Sequence, residues 1–338
     1  MQIQYFNNLR ALACFLVILT HSAMPSIDDS FGVYMVLFAL MGSPSSELFV
    51  TLSSSLLAPS KQEMFVFYKK RFSKLLGPFF FWSLVILFIE YSKNEIGLQK
   101  LTQKLLLFPI APVAGVYWFV YAICGLYLII PIISPWLAKS SKKELLGVLL
   151  IWGTTLLFPF LNLLFNEEIY NSNGSYYFIT VYLGGFIGYL FLGVYLRKSP
   201  ILFTNKLKCI LFIALLITLG TIPILYGYLF NRDILVVTGD NLSLSSALYV
   251  ISIFCFFQNF KFSSVIESFF NTIAKYSFGI YLVHIIVIRR FIWKLLENHR
   301  LPHPVLETPI IAISSLLICL LIVKLLSALP KSKYIIGA

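Results

Sequence analysis

Charge is scarce in this chain. Of its 338 residues 12% are charged, where a soluble domain carries about 25%, and no polar block is long enough to fold apart from the apolar segments. That excludes a pair of soluble domains, which the length alone would allow. Acidic residues are the scarcer sign, 14 against 26 basic ones, for a formal net charge of +12. The basic residues stand in short loops between apolar runs. This is the pattern that orients a membrane protein, so no nucleic-acid partner is expected. Paired cysteines are missing as well. The five cysteines, at positions 14, 124, 209, 255 and 319, fall singly in five apolar segments. With no CxxC or metal-type spacing, neither a disulfide framework nor a metal site is expected. There is also no Gly-rich nucleotide loop, nucleophile elbow, internal repeat or low-complexity segment. Ala11-Leu12-Ala13-Cys14 has the form of a lipoprotein cleavage box, but no basic leader or apolar region precedes it. The first helix is therefore expected to be retained as a span.

What the chain has in abundance is apolar length. Hydrophobic residues make up 59% of it and the mean hydropathy is +0.87. Runs long enough to cross a bilayer lie at roughly 9–26, 31–58, 75–92, 115–135, 145–163, 176–196, 209–229, 242–258, 274–295 and 309–329, with Pro44 placed to kink the second. The expected fold is an all-α integral membrane bundle of about ten transmembrane helices, forming a single domain over residues 1–338. Alternate loops hold sixteen basic residues, among them Lys69, Lys70, Arg71, Lys74 and Lys275, against six in the opposite loops, which also carry the Glu167-Glu168 turn. The positive-inside rule then puts both termini in the cytoplasm. Arg289 and Arg290, near the outer end of the ninth run, must snorkel or line a cavity. His299 and His303 flank Pro302 in an outer loop and are expected to be solvent-exposed.

Ionisable groups within spans are costly and seldom idle. Arg10 and His21 lie eleven residues apart on the first apolar helix. Eleven steps turn a helix about 20° past three full turns, so the two share a face roughly 16 Å apart along the axis. A cytoplasmic anchor and a helix-end marker would also satisfy these positions. Glu47, inside the second run, could pair with His21 across adjacent helices, fix its tautomer and complete a general-base module; a solvated carboxylate at the interface is the simpler alternative. The cluster Lys69-Lys70-Arg71 with Lys74 could bind phosphate, although headgroup contact is the commoner use of such a run.

Together these residues carry a resemblance. Asn8-Leu9-Arg10-Ala11 through His21 resembles the arginine, ten residues, histidine signature of the membrane-bound acyltransferase family 3, bacterial enzymes that O-acetylate surface polysaccharides. Glu47-Leu48-Phe49 with Leu52-Ser53, the Lys70 to Pro78 basic run, Tyr117-Trp118-Phe119-Val120-Tyr121 with Pro131, and Tyr276 to His284 are similar to four further family blocks, in the family's order.

The resemblance implies acetyl-CoA as co-substrate, with no permanently bound cofactor, entering from the cytoplasm near Arg10, Lys70, Arg71 and Lys74. It implies His21 as general base or acetyl-transfer residue, Glu47 as its orienter, and a glycan or lipid-linked sugar as acceptor at the bacterial inner membrane. Trp118, Tyr121, Tyr281 and His284, in the matched blocks, are candidates for contacting substrate. His284 shares a helix face with Tyr281 and also suits a structural bond across helices, while Trp118 also suits an interfacial anchor. Two departures stand out: Ser53-Ser54-Ser55 replaces the family's Ser-Gly turn, and Val116 stands where a histidine is common. A polysaccharide exporter or flippase of the same fold is the rival reading.

Overall fold

Apolar runs that must satisfy their own backbone in lipid have one economical solution, the helix. A computed structural model describes residues 4–23, 32, 36, 40–42, 44–157, 160, 184–230, 232–239, 242–296 and 304–337, and among them every regular element is helical. In chain order these are α1 (Gln4–Ala23), α2 (Ser45–Leu57), α3 (Met64–Ser92), α4 (Leu98–Leu107) and α5 (Trp118–Lys139), the last entered through a 3-10 turn at Gly115–Tyr117. There follow α6 (Lys142–Thr155), α7 (Phe186–Lys198), α8 (Lys206–Phe230), α9 (Arg232–Gly239) and α10 (Leu244–Asn259). Helix α11 (Ser264–Ile286) runs on as a π turn (Val287–Ile292) into α12 (Trp293–Leu296), and α13 (Pro304–Ser327) and α14 (Lys333–Ile336) close the chain.

Local chemistry sets many of the ends. The Glu63 carboxylate caps α3 by accepting from the amides of Phe65 and Val66 at 3.1 Å. Ser141 and Glu144 form a reciprocal capping box at the start of α6. Pro44 stands at the N-cap of α2, so it marks a break in the second run. Pro78, Pro131, Pro135, Pro223 and Pro309 sit inside helices, as packed membrane helices tolerate.

Four helices among the described residues are long and apolar enough to cross a membrane by themselves: Met64–Ser92, Gly115–Lys139, Lys206–Phe230 and Val305–Ser327. The other expected spans are shorter, more polar, or continue outside the described residues, as the second and sixth do; the Glu167-Glu168 turn, His299 and His303 also lie outside. Helix α3 begins eleven residues before its expected start, because the basic run is itself helical below the capping Glu63. Helix α4 was not expected. It is a ten-residue helix with Leu98 and Leu106 exposed, tied back to α3 by Lys104 on Glu90 at 2.6 Å.

Helix α1 lies in the middle, against α2, α10, α11 and α13. The α2–α7 crossing is especially close. A Cβ on Gly193 would lie 2.1 Å from the Thr51 carbonyl oxygen, and the Ser55 hydroxyl donates to the Gly193 carbonyl at 2.8 Å. The glycine that permits this approach is on the partner helix rather than in the Ser53-Ser54-Ser55 turn.

Candidate active site

Two helices distant in sequence frame the site. Helices α1 and α11 run parallel with their side chains in step. Asn7 Nδ2 donates to Asn271 Oδ1 at 2.7 Å, Cys14 Sγ contacts the Ser277 carbonyl at 3.8 Å, and the His21 and His284 rings meet with centroids 5.3 Å apart. The sequence offset is 264 at the first contact and 263 at the second, and it is again 263 between the two histidines.

Near the polar end of this pair lies a cavity of about 230 Å³. Among the described residues four cations line it, Arg10 of α1, Arg71 and Lys74 of α3, and Lys275 of α11, with no carboxylate side chain beside them. Arg71 stacks its guanidinium over Phe67 at 5.5 Å and leaves a buried Nε without a partner among the described residues. Ser53 and Ser277 add hydroxyls, and Phe49, Phe119 and Tyr127 form an aromatic wall. The carboxy-terminal turn completes the enclosure. Gly337 has φ 73°, and a Cβ there would lie 2.7 Å from Phe278 Cδ1 and 3.1 Å from the Lys74 carbonyl oxygen, so the tail fits between α3 and α11 only as glycine.

Away from the cations the cavity ends at Tyr281. Its hydroxyl donates to the Val116 carbonyl, and the Tyr117 hydroxyl donates to the Leu282 carbonyl at 2.6 Å, binding the start of α5 to α11. Beyond Tyr281, with ring centroids 5.6 Å apart, lies His284, fully buried. His284 Nδ1 bonds the Tyr281 carbonyl, and its Nε2 has no partner among the described residues. The π turn follows at once. In it Arg290 pairs with Glu95, holding that exposed carboxylate below its ordinary range, while Arg289 is exposed. Such turns recur at functional sites.

A family model described as an acyltransferase domain matches residues 3–324, nearly the whole chain. The chain belongs to the acyltransferase 3 family. No curated protein and no solved structure matches it. It is a membrane acyltransferase.

Within this acyltransferase, Arg10, Arg71 and Lys74 stand together at one cavity. Lys70, in the same run, is exposed and off the wall. Lys275 was read from sequence only as an orienting charge, yet it is the fourth cation. Its position six residues before Tyr281 on one helix was the available signal. Tyr281 is on the wall; Trp118 and Tyr121 are not. Trp118 packs on Phe186 with centroids 5.6 Å apart, and the Tyr121 hydroxyl bonds the carbonyls of Phe108 and Ala111. Glu47 is fully buried, and the Ser46 hydroxyl lies 2.9 Å from each of its carboxylate oxygens. The ring of His284 packs against that of His21, with centroids 5.3 Å apart.

Proposed function

We propose that this acyltransferase is an O-acetyltransferase of the bacterial inner membrane. It takes acetyl from acetyl-CoA and places it on a hydroxyl of a surface polysaccharide or its lipid-linked precursor. The observation that carries the reading is the cavity lined by Arg10, Arg71, Lys74 and Lys275 and, among the described residues, by no carboxylate side chain. Four cations around 230 Å³ suit a ligand with several phosphates, and guanidinium groups suit bidentate phosphate contact. The excess of basic residues in the loops on that side supports a cytoplasmic mouth and cytoplasmic termini.

With the phosphates at Arg10, the thioester extends along α1 toward His21, about 16 Å further along the axis. His21 accepts the proton of the acceptor hydroxyl as its oxygen attacks the thioester carbonyl carbon. The C–O bond forms, the tetrahedral intermediate collapses, the C–S bond breaks, and the sulfur leaves with the proton from His21. Glu47, buried on the neighbouring helix, is the candidate orienter that the family resemblance offers.

The test is transfer of labelled acetyl from acetyl-CoA to surface glycan extracted from the source cell, by purified protein in liposomes. The reading expects a gain of about 42 Da per modified hydroxyl, the mass of acetyl replacing hydrogen, and loss of transfer in His21→Ala. Glycan crossing the membrane without acetylation would instead establish the exporter.

A further inference from the structure

His284 is buried, lies on the far side of Tyr281 from the cavity and meets the ring of His21. We infer that His284 is a positioning residue for His21: its Nε2 accepts a hydrogen bond from one His21 nitrogen and so leaves the lone pair on the other, aimed at the acceptor hydroxyl. The inference rests on the reading of His21 as the base.

Three observations lead to it. The first is the tautomer. His284 Nδ1 is bonded to the Tyr281 carbonyl, a group that only accepts, so Nδ1 carries the hydrogen and the neutral ring has its lone pair on Nε2. The second is that this Nε2 is buried and has no partner among the described residues, and a buried acceptor without a donor is a costly arrangement that a folded chain rarely keeps without use. The third is the separation. Each imidazole nitrogen lies roughly 1.1 Å from its ring centre, so facing nitrogens at the observed centroid spacing stand about 3 Å apart once the rings turn edge to edge, which is hydrogen-bond distance. The rings are now tilted by 34°, and catalytic hydrogen bonds often close only when substrate is present.

Both rings are fixed from behind. Helix α1 places His21 opposite His284 through the in-step contacts at Asn7 and Cys14. Helix α11 holds His284 through its own Tyr281 carbonyl and through Tyr117 on Leu282. The Tyr281 hydroxyl, by contrast, is committed to Val116, and across the helix pair the His21 ring lies 5.3 Å from that of His284 between centroids.

The experiment uses full-length protein in liposomes, with acetyl-CoA varied and extracted surface glycan as acceptor. His284→Phe keeps a ring of similar size but has no acceptor. It should lower kcat by roughly 100-fold while the KM for acetyl-CoA stays within about twofold, because the cation cavity is intact. His284→Gln returns an acceptor near the Nε2 position and should recover kcat to within roughly tenfold of the wild type, whereas the shorter His284→Asn should stay as slow as Phe. If His284→Phe fails to fold, the Gln and Asn variants still decide. Equal rates for Gln and Asn, or a wild-type kcat for His284→Phe, overturn the inference. The role of His21 is read separately. With His21→Ala inactive and the His284 variants at full rate, positioning alone falls; with His21→Ala active, the base reading falls and takes this inference with it.

Discussion

Tyr281 stands between the two halves of the site. One face of its ring ends the cation-lined cavity, its hydroxyl holds the Val116 carbonyl, and His284 lies beyond it at 5.6 Å between ring centroids. A single side chain thus anchors the entry of α5 and links the cavity wall to His284.

Tyr281→Phe should keep the wall and lose the anchor. Removing a buried donor from the Val116 carbonyl costs about 1–3 kcal/mol, to be read as a lower melting temperature in detergent. Binding of CoA should be unchanged. A wild-type melting temperature would show that the bond to Val116 contributes little.

The four cavity cations should act on donor binding. Arg10→Ala, Arg71→Ala and Lys275→Ala each remove a charged hydrogen-bond donor worth about 1.5–3 kcal/mol, roughly a 10- to 150-fold loss in CoA affinity by titration calorimetry. Lys70→Ala, off the wall, should bind as the wild type does. Equal losses at Lys70 and Lys275 would mean that the run acts by general charge rather than through this cavity.

Gly193→Ala should be poorly tolerated. The added Cβ meets a backbone oxygen, Thr51 O, at 2.1 Å, and backbone cannot turn aside as a side chain can. Helices α2 and α7 would have to part, at a cost of about 1–3 kcal/mol or more, read as a lower yield of folded protein. Ser54→Ala, which loses only a bond to its own helix at Val50, should be far milder.

The Glu95–Arg290 pair should confer a modest acid sensitivity. Hydrogen bonding to Arg290 holds the Glu95 carboxyl below its ordinary value of 4.5. A carboxylate lowered on folding stabilises the fold above its unfolded value, and that contribution is lost as the pH falls through the lower folded one. The melting-temperature gap between wild type and Glu95→Gln should therefore be present at neutral pH and close below 4.5. A gap that persists in acid would refute the pair's part in it.

By itself the sequence determined what is local or compositional. The scarcity of charge and the apolar runs required membrane helices. A helix of 3.6 residues per turn put Arg10 and His21 on one face whatever surrounded them, and the ordered motifs identified the family. Tertiary structure decided which faces meet. Helix geometry relates residues within a segment, but the level at which α1 stands against α11 is set by packing and by contacts such as Asn7 with Asn271. That packing put His284 against the ring of His21, added Lys275 to the cations and left Lys70 outside. It also brought Gly337 under Phe278 to close the wall. Each of these pairs residues dozens to hundreds of positions apart, a separation over which helical periodicity carries no information.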